Sequence, residues 1–142
     1  MNHFRDIKNF HEKFDLPPVD SKPSPLPMDL LKFRLRFMQE ELSEYAQAAQ
    51  DGDLNKQLDA LVDLVYVALG TAYLQRFPFN TAFARVHAAN MAKVRALRES
   101  DSVRGSMYDV VKPPGWVAPS HADLVTPVVG IVAFDIDTRD EP

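Results

Sequence analysis

Acidic side chains that recur in groups are the first candidates for chemistry in this 142-residue chain, because carboxylates can hold a divalent cation or move a proton. Glu40, Glu41 and Glu44 make one group and Asp59 and Asp63 another. Both lie inside apolar stretches with helical spacing. From Leu30 to Ala49 the apolar residues Leu30, Phe33 and Phe37 recur at steps of three and four, and continuing those steps lands on Glu40, Glu41 and Glu44. From Leu58 to Leu74 nearly every residue is apolar or small, and Asp59 and Asp63 are the only charges. A helix there is expected to be buried most of the way round. Unpaired like charges about 4 Å apart repel by roughly 4 kcal/mol at an effective dielectric near 20, and desolvation adds a further cost for each ion. Glu-Glu-x-x-Glu alone also describes a solvated helix face. The two aspartates among leucines and valines tip the balance towards a bound cation. Without cysteine or a nearby histidine, an all-oxygen ligand set favours a hard ion, Mg²⁺ first and Mn²⁺ second.

A second set of polar residues follows. Asn90 and Lys93 lie three apart, so on a helix they share a face with Val86 and His87. His87 itself reads as part of a surface strip. Asn90 and Lys93 could hold phosphate oxygens through an amide and an ammonium. Lys112 and Trp116, in Lys112-Pro113-Pro114-Gly115-Trp116, add a cation and a packing or stacking surface. The chain has no Gly-x-Ser-x-Gly elbow, phosphate-binding glycine loop or dinucleotide fingerprint, so nucleophilic-triad chemistry has no support.

The elements that must position these residues are mostly helical. His3 to Phe14 places Phe4, Ile7, Phe10 and Phe14 at amphipathic spacing, with Asn2 as cap. Leu16 to Pro27 contains five prolines and is expected to be an extended connector. A long helix runs from about Met28 to Gln50 and stops at Asp51-Gly52-Asp53. The short turn predicts an antiparallel successor over about Leu54 to Arg76. Asn80 is the expected cap of a third long helix, about Thr81 to Arg98, with Phe83, Val86, Met91 and Val94 in the core. Ser100 to Pro119 reads as irregular, Val125 to Ile136 as a short strand, and Asp137 to Pro142 as a polar tail.

Length and composition set the outer limits. The chain, 46% hydrophobic with a net charge of −4, is expected to form one domain, residues 1–142, with a helical core at about 28–98 and an extension at about 100–142. No basic run suggests a nucleic-acid surface. The absence of cysteine and of an apolar leader at Met1 to Phe14 points to a soluble cytoplasmic protein. The uninterrupted apolar run Leu64 to Leu74 is too short to span a bilayer. The fold class is all-α, an antiparallel bundle that long, one-sided apolar helices on so short a chain would complete by homo-oligomerisation. A homodimer is the first expectation.

The motifs together resemble the all-α nucleoside triphosphate pyrophosphohydrolases, the MazG-like or phosphoribosyl-ATP pyrophosphohydrolase-like superfamily. The resemblance covers about Phe10 to Leu124. It rests on Glu40-Glu41-Leu42-Ser43-Glu44, on Asp59 to Val67 followed by Gly70-Thr71-Ala72, on Asn90-Met91-Ala92-Lys93, and on the Lys112 to Trp116 segment. It implies hydrolysis of a nucleoside triphosphate or related nucleotide between the α and β phosphates, with Mg²⁺ on helix carboxylates. It further implies Glu41, Glu44 and Asp63 as ligands and Glu40 as the group that orients or deprotonates water. The usual second motif is Glu-x-x-Asp, but Ala60 stands three before Asp63 and the acid lies one residue earlier, at Asp59. One residue turns a side chain about 100° around a helix, so Asp59 is a replacement ligand, an outer-sphere group or a substrate contact. The competing reading is a non-catalytic nucleotide-binding or assembly module on the same fold.

Overall fold

The computed structural model describes residues 2–126 and is mainly helical. In chain order it contains α1 (His3–Lys13), α2 (Met28–Gln50), α3 (Leu54–Leu74), α4 (Phe79–Met91), β1 (Val94–Arg95), a single 3₁₀ turn (Glu99–Asp101), β2 (Val110–Val111) and α5 (Ala122–Val125). The described residues group into two compact units, 2–79 with 124–126, and Asn80–Asp123.

In the first unit, α2 and α3 form an antiparallel hairpin. Gln57 donates to the Ala48 carbonyl near the turn, and Arg34 reaches Val67 and Thr71 at the far end. The Asp53 carboxylate caps α3 by accepting the Lys56 N–H at 3.0 Å, as the Asn2 side chain caps α1. All three helices close with the same pair of reversed hydrogen bonds. The residues after their last turns, Asp15, Gly52 and Arg76, take φ of 52°, 69° and 53°. Each following residue donates back into the helix, Leu16 to His11, Asp53 to Ala48 and Phe77 to Ala72. The proline-rich connector is tied to the end of α3 by Val19 N–H to Leu74 O and Ser24 N–H to Gln75 O. A small core of Phe4, Ile7, Leu69, Ala72 and Tyr73 joins α1 to α3.

Several expectations change. α3 is not buried all round: Leu58, Leu61, Val62 and Val65 are exposed, Leu58 by 65%. By length and composition the full 21 residues of α3 could cross a membrane. On α2 the seam against α3 carries Arg34, Glu41 and Ala48 rather than Phe33 and its neighbours. These three recur every seven residues, two full helical turns, whereas Phe33 is turned into solvent. On α1 the buried residue after Ile7 is His11, and Phe10 and Phe14 are exposed.

The third long helix begins at Phe79, so Asn80 lies inside its first turn rather than capping it, and ends at Met91 instead of Arg98. Val94 and Arg95 pair antiparallel with Val111 and Val110, so these residues exchange helical bonds for a ladder. α4 has no buried residue: Phe83, Val86, Met91 and also Val94 beyond it are exposed, not core. Ser100 to Pro119 is irregular apart from the end of the 3₁₀ turn and β2. Val125 ends α5 instead of starting a strand. The remainder of the expected strand and tail, residues 127–142, lies outside the described residues.

Candidate active site

Glu41 is the centre of the acidic group. It lies in the α2–α3 seam, 7% exposed, while Glu40 and Glu44 on the same helix and Asp59 and Asp63 on α3 face solvent. The expectation that all five acids lie on buried faces is therefore corrected: one is buried and four surround it. Burial raises the Glu41 carboxyl above the ordinary range, and the charges of Asp63, Glu44, Glu40 and Asp59, in falling order, raise it further. The hairpin has brought the two sequence groups together. Ala60, only 2% exposed, occupies the seam position, and Asp59, one residue back, is rotated out of it and contributes least at Glu41.

One oxygen of this group is orphaned. Glu41 Oε2 is buried and has no hydrogen-bond partner. A buried anionic oxygen with carboxylates as its charged neighbours is costly unless a cation joins it. Among the described residues no three acidic or histidine side chains form a ready-made metal cage. Four solvent-facing carboxylates on two helices nevertheless have the donor chemistry of a hard-ion site. The residues present fit a divalent cation.

A second buried cluster lies two turns along the seam, and its arginine and histidine were missed by the sequence reading. The Arg34 guanidinium donates from Nε to Thr71 Oγ1 at 3.0 Å and from Nη2 to the Val67 carbonyl at 2.6 Å. Burial pulls its pKa below the ordinary arginine value. His11 Nδ1 lies 3.0 Å from the Leu16 carbonyl. That oxygen can only accept, so Nδ1 carries the proton and the neutral ring turns Nε2 inward. Burial lowers the His11 pKa against the raising effect of this bond, and the Arg34 charge lowers it further. Gly70 makes room for both: a Cβ there would stand 2.8 Å from Arg34 Nη2 and 3.0 Å from His11 Nε2. The interruption of an apolar stripe by Arg34 and the glycine inside α3 were the available signals.

Beside α3, an apolar hollow of about 510 Å³ is lined by Ile7, Leu61, Val62, Val65, Tyr66 and Leu69, with His3 and Asp6 also contributing.

Asn90, Lys93, Lys112 and Trp116 belong to the second unit. Lys93 and Lys112 place their ammonium groups 5.4 Å and 4.8 Å from the centre of the Trp116 ring. Trp116 Nε1 donates to the Ala89 carbonyl at 2.7 Å. Asn90 and His87 are exposed, and the Asn90 carbonyl accepts the Lys93 N–H. Three of the four expected substrate-binding residues are thus gathered around one indole.

No curated protein matches the chain. A family model does: the phosphoribosyl-ATP pyrophosphohydrolase model matches residues 7–90. The matched span contains all five carboxylates, Arg34 and Gly70, and nearly all of the four longest helices. It covers more than half of the 142 residues, and with the all-helical hairpin it shows that this chain belongs to the phosphoribosyl-ATP pyrophosphohydrolase family within the MazG-like superfamily, hydrolases of nucleotide phosphoric anhydrides.

Proposed function

We propose that the protein is a Mg²⁺-dependent nucleoside triphosphate pyrophosphohydrolase, cleaving between the α and β phosphates to give a nucleoside monophosphate and pyrophosphate. The observation that carries the metal assignment is the buried, partnerless Glu41 Oε2 among four further carboxylates. Glu41, Glu44 and Asp63 are the residues to hold the ion, with Asp59 as an outer member. Bound there, Mg²⁺, or Mn²⁺ in its place, would neutralise phosphate charge and make phosphorus more susceptible to attack. Glu40, exposed beside Glu41, takes the proton of the attacking water, whose oxygen bonds to phosphorus as the bond to the bridging oxygen breaks. Pyrophosphate leaves with the bridging oxygen's electron pair.

The exposed apolar row Leu58, Leu61, Val62 and Val65 supports a second copy packing on α3, because a contiguous apolar face on a small domain usually marks an interface. A homodimer is the smallest assembly that covers it, and light scattering of the purified chain tests it.

The decisive assay incubates the protein with Mg²⁺ and a panel of canonical, deoxy and modified nucleoside triphosphates, measuring pyrophosphate against phosphate. Pyrophosphate release that disappears in Glu41→Gln and Asp63→Asn is expected. Release of inorganic phosphate alone, or of neither product across the panel, would overturn the reaction assigned here. Full activity in both variants would overturn the site assignment.

A further inference from the structure

Arg34 is 8% exposed, and the oxygens it holds belong to neutral groups, the Thr71 hydroxyl and the Val67 carbonyl. Burying a guanidinium against neutral partners costs the fold stability, and a smaller neutral donor would satisfy either oxygen. What the guanidinium adds is a rigid fork. Its Nε and Nη2 grip the two ends of a single turn of α3, and Thr71 Oγ1 in turn donates to the same Val67 carbonyl at 2.8 Å, so that the three groups close one bonded ring. Phe37, a turn further along α2, stands beside the fork with the guanidinium carbon 5.6 Å from its ring centre. A slide of α3 by one residue would move the gripped turn about 1.5 Å along the axis and about 100° around it, which breaks both bonds at once.

The same two helices carry the acidic group. Arg34 precedes Glu41 by seven residues on α2, and Asp63 precedes Gly70, beside which Arg34 lies, by seven on α3. Equal steps on antiparallel helices keep two contacts in register, so Arg34 against Gly70 places Glu41 against Asp63 roughly 10 Å further along. The charges that act on the Glu41 carboxyl are all acidic, so Arg34 reaches it through the position of α3 and not through its own field. Among the described residues, the remaining side-chain hydrogen bond across the seam joins Gln57 to the Ala48 carbonyl at 3.4 Å, on the turn side of Glu41. Arg34 holds the far side.

We propose that Arg34 is a positioning residue for the carboxylate site: by locking one turn of α3 it fixes the register in which Glu41 meets Asp63, and with it the geometry offered to a divalent cation. Thr71 shares this role as an acceptor of the fork. The proposal rests on the hydrolytic reading for its cation and on the fold alone for its register, and the two are measured separately.

The register is read without metal. In EDTA, Glu41→Gln is expected to raise the melting temperature of the otherwise wild-type chain by relieving repulsion, and to raise that of Arg34→Met by at most about half as much, because there the acids can draw apart. Residues this distant with no shared partner contribute additively, so a merely structural Arg34 gives the same gain in both backgrounds. Thr71→Val keeps the shape of the side chain, removes the acceptor, and supplies the same cycle should Arg34→Met fail to fold. The cation is read by calorimetry and by the Mg²⁺ concentration that half-saturates pyrophosphate release. Both midpoints should rise roughly tenfold in Arg34→Lys and Thr71→Val, since a lysine keeps the charge without the fork. Phe4→Leu, in the α1–α3 core, is expected to lower stability and leave the Mg²⁺ midpoint in place. Equal gains in the cycle, or unmoved Mg²⁺ midpoints in Arg34→Lys and Thr71→Val, overturn the proposal and leave the hydrolytic reading standing. A coupled cycle in a protein that neither binds Mg²⁺ nor releases pyrophosphate upholds the register and removes the hydrolytic reading.

Discussion

Asp63 on α3 is the strongest of the four negative neighbours of Glu41 on α2. The two residues are twenty-two positions apart in sequence and meet because Asp51-Gly52-Asp53 reverses the chain with no slack. A carboxylate held in such company destabilises the metal-free fold in proportion to its charge.

Glu41→Gln is therefore expected to raise the melting temperature of the protein in EDTA while lowering Mg²⁺-dependent turnover at least about 100-fold. Differential scanning calorimetry and the pyrophosphate assay check the two halves separately. A fall in both would show that Glu41 serves the fold, not the chemistry.

Added Mg²⁺ should raise the wild-type melting temperature, since a ligand bound only by the native state stabilises it by mass action. Asp63→Asn should remove more of that increment than Asp59→Asn, following the order in which the two acids act on Glu41. Equal losses would make Asp59 a full ligand in place of the missing glutamate at position 60.

Gly70→Ala is expected to cost about 1–3 kcal/mol, read from urea unfolding, because its methyl group must displace a guanidinium and an imidazole that are both held by hydrogen bonds. A neutral result would mean that Arg34 can withdraw without loss.

Acid should loosen the molecule through His11. Its folded-state pKa lies below the ordinary 6.5, so the unfolded chain takes up the proton first. The stability owed to the neutral ring is complete above that ordinary value. It declines as the pH falls below it and levels off beneath the lowered folded-state value. His11→Asn, which keeps a donor near the Nδ1 position but does not titrate, should flatten the melting-temperature profile between about pH 7 and 5 relative to wild type.

The helical spans were legible because their signals are local. Asn2, Asp53 and the Gly52 turn mark ends within a few residues of the bonds they make, and α2 ran from Met28 to Gln50 as the spacing indicated. The convergence of Glu41 and Asp63 was also legible, since a three-residue turn leaves two helices no option but to lie side by side. Which acid entered the seam was not. Glu40, Glu41 and Glu44 all continue the Phe33–Phe37 steps, and only the opposing surface of α3, with Ala60 and Gly70 making room, selects Arg34 and Glu41. The end of α4 at Met91 was hidden for a similar reason: Val94 continues a helical pattern equally well, and its ladder partner Val111 lies seventeen residues away.

The notch at Gly70 acts as a ruler for the whole hairpin. Sliding α3 by one turn would bring Tyr66 or Leu74 opposite the Arg34 guanidinium, and neither leaves it a space. The axial offset between the two acidic groups is thus set by a contact about two helical turns, roughly 11 Å, away from them. A glycine with no chemistry of its own calibrates the spacing at which Glu41 faces Asp63.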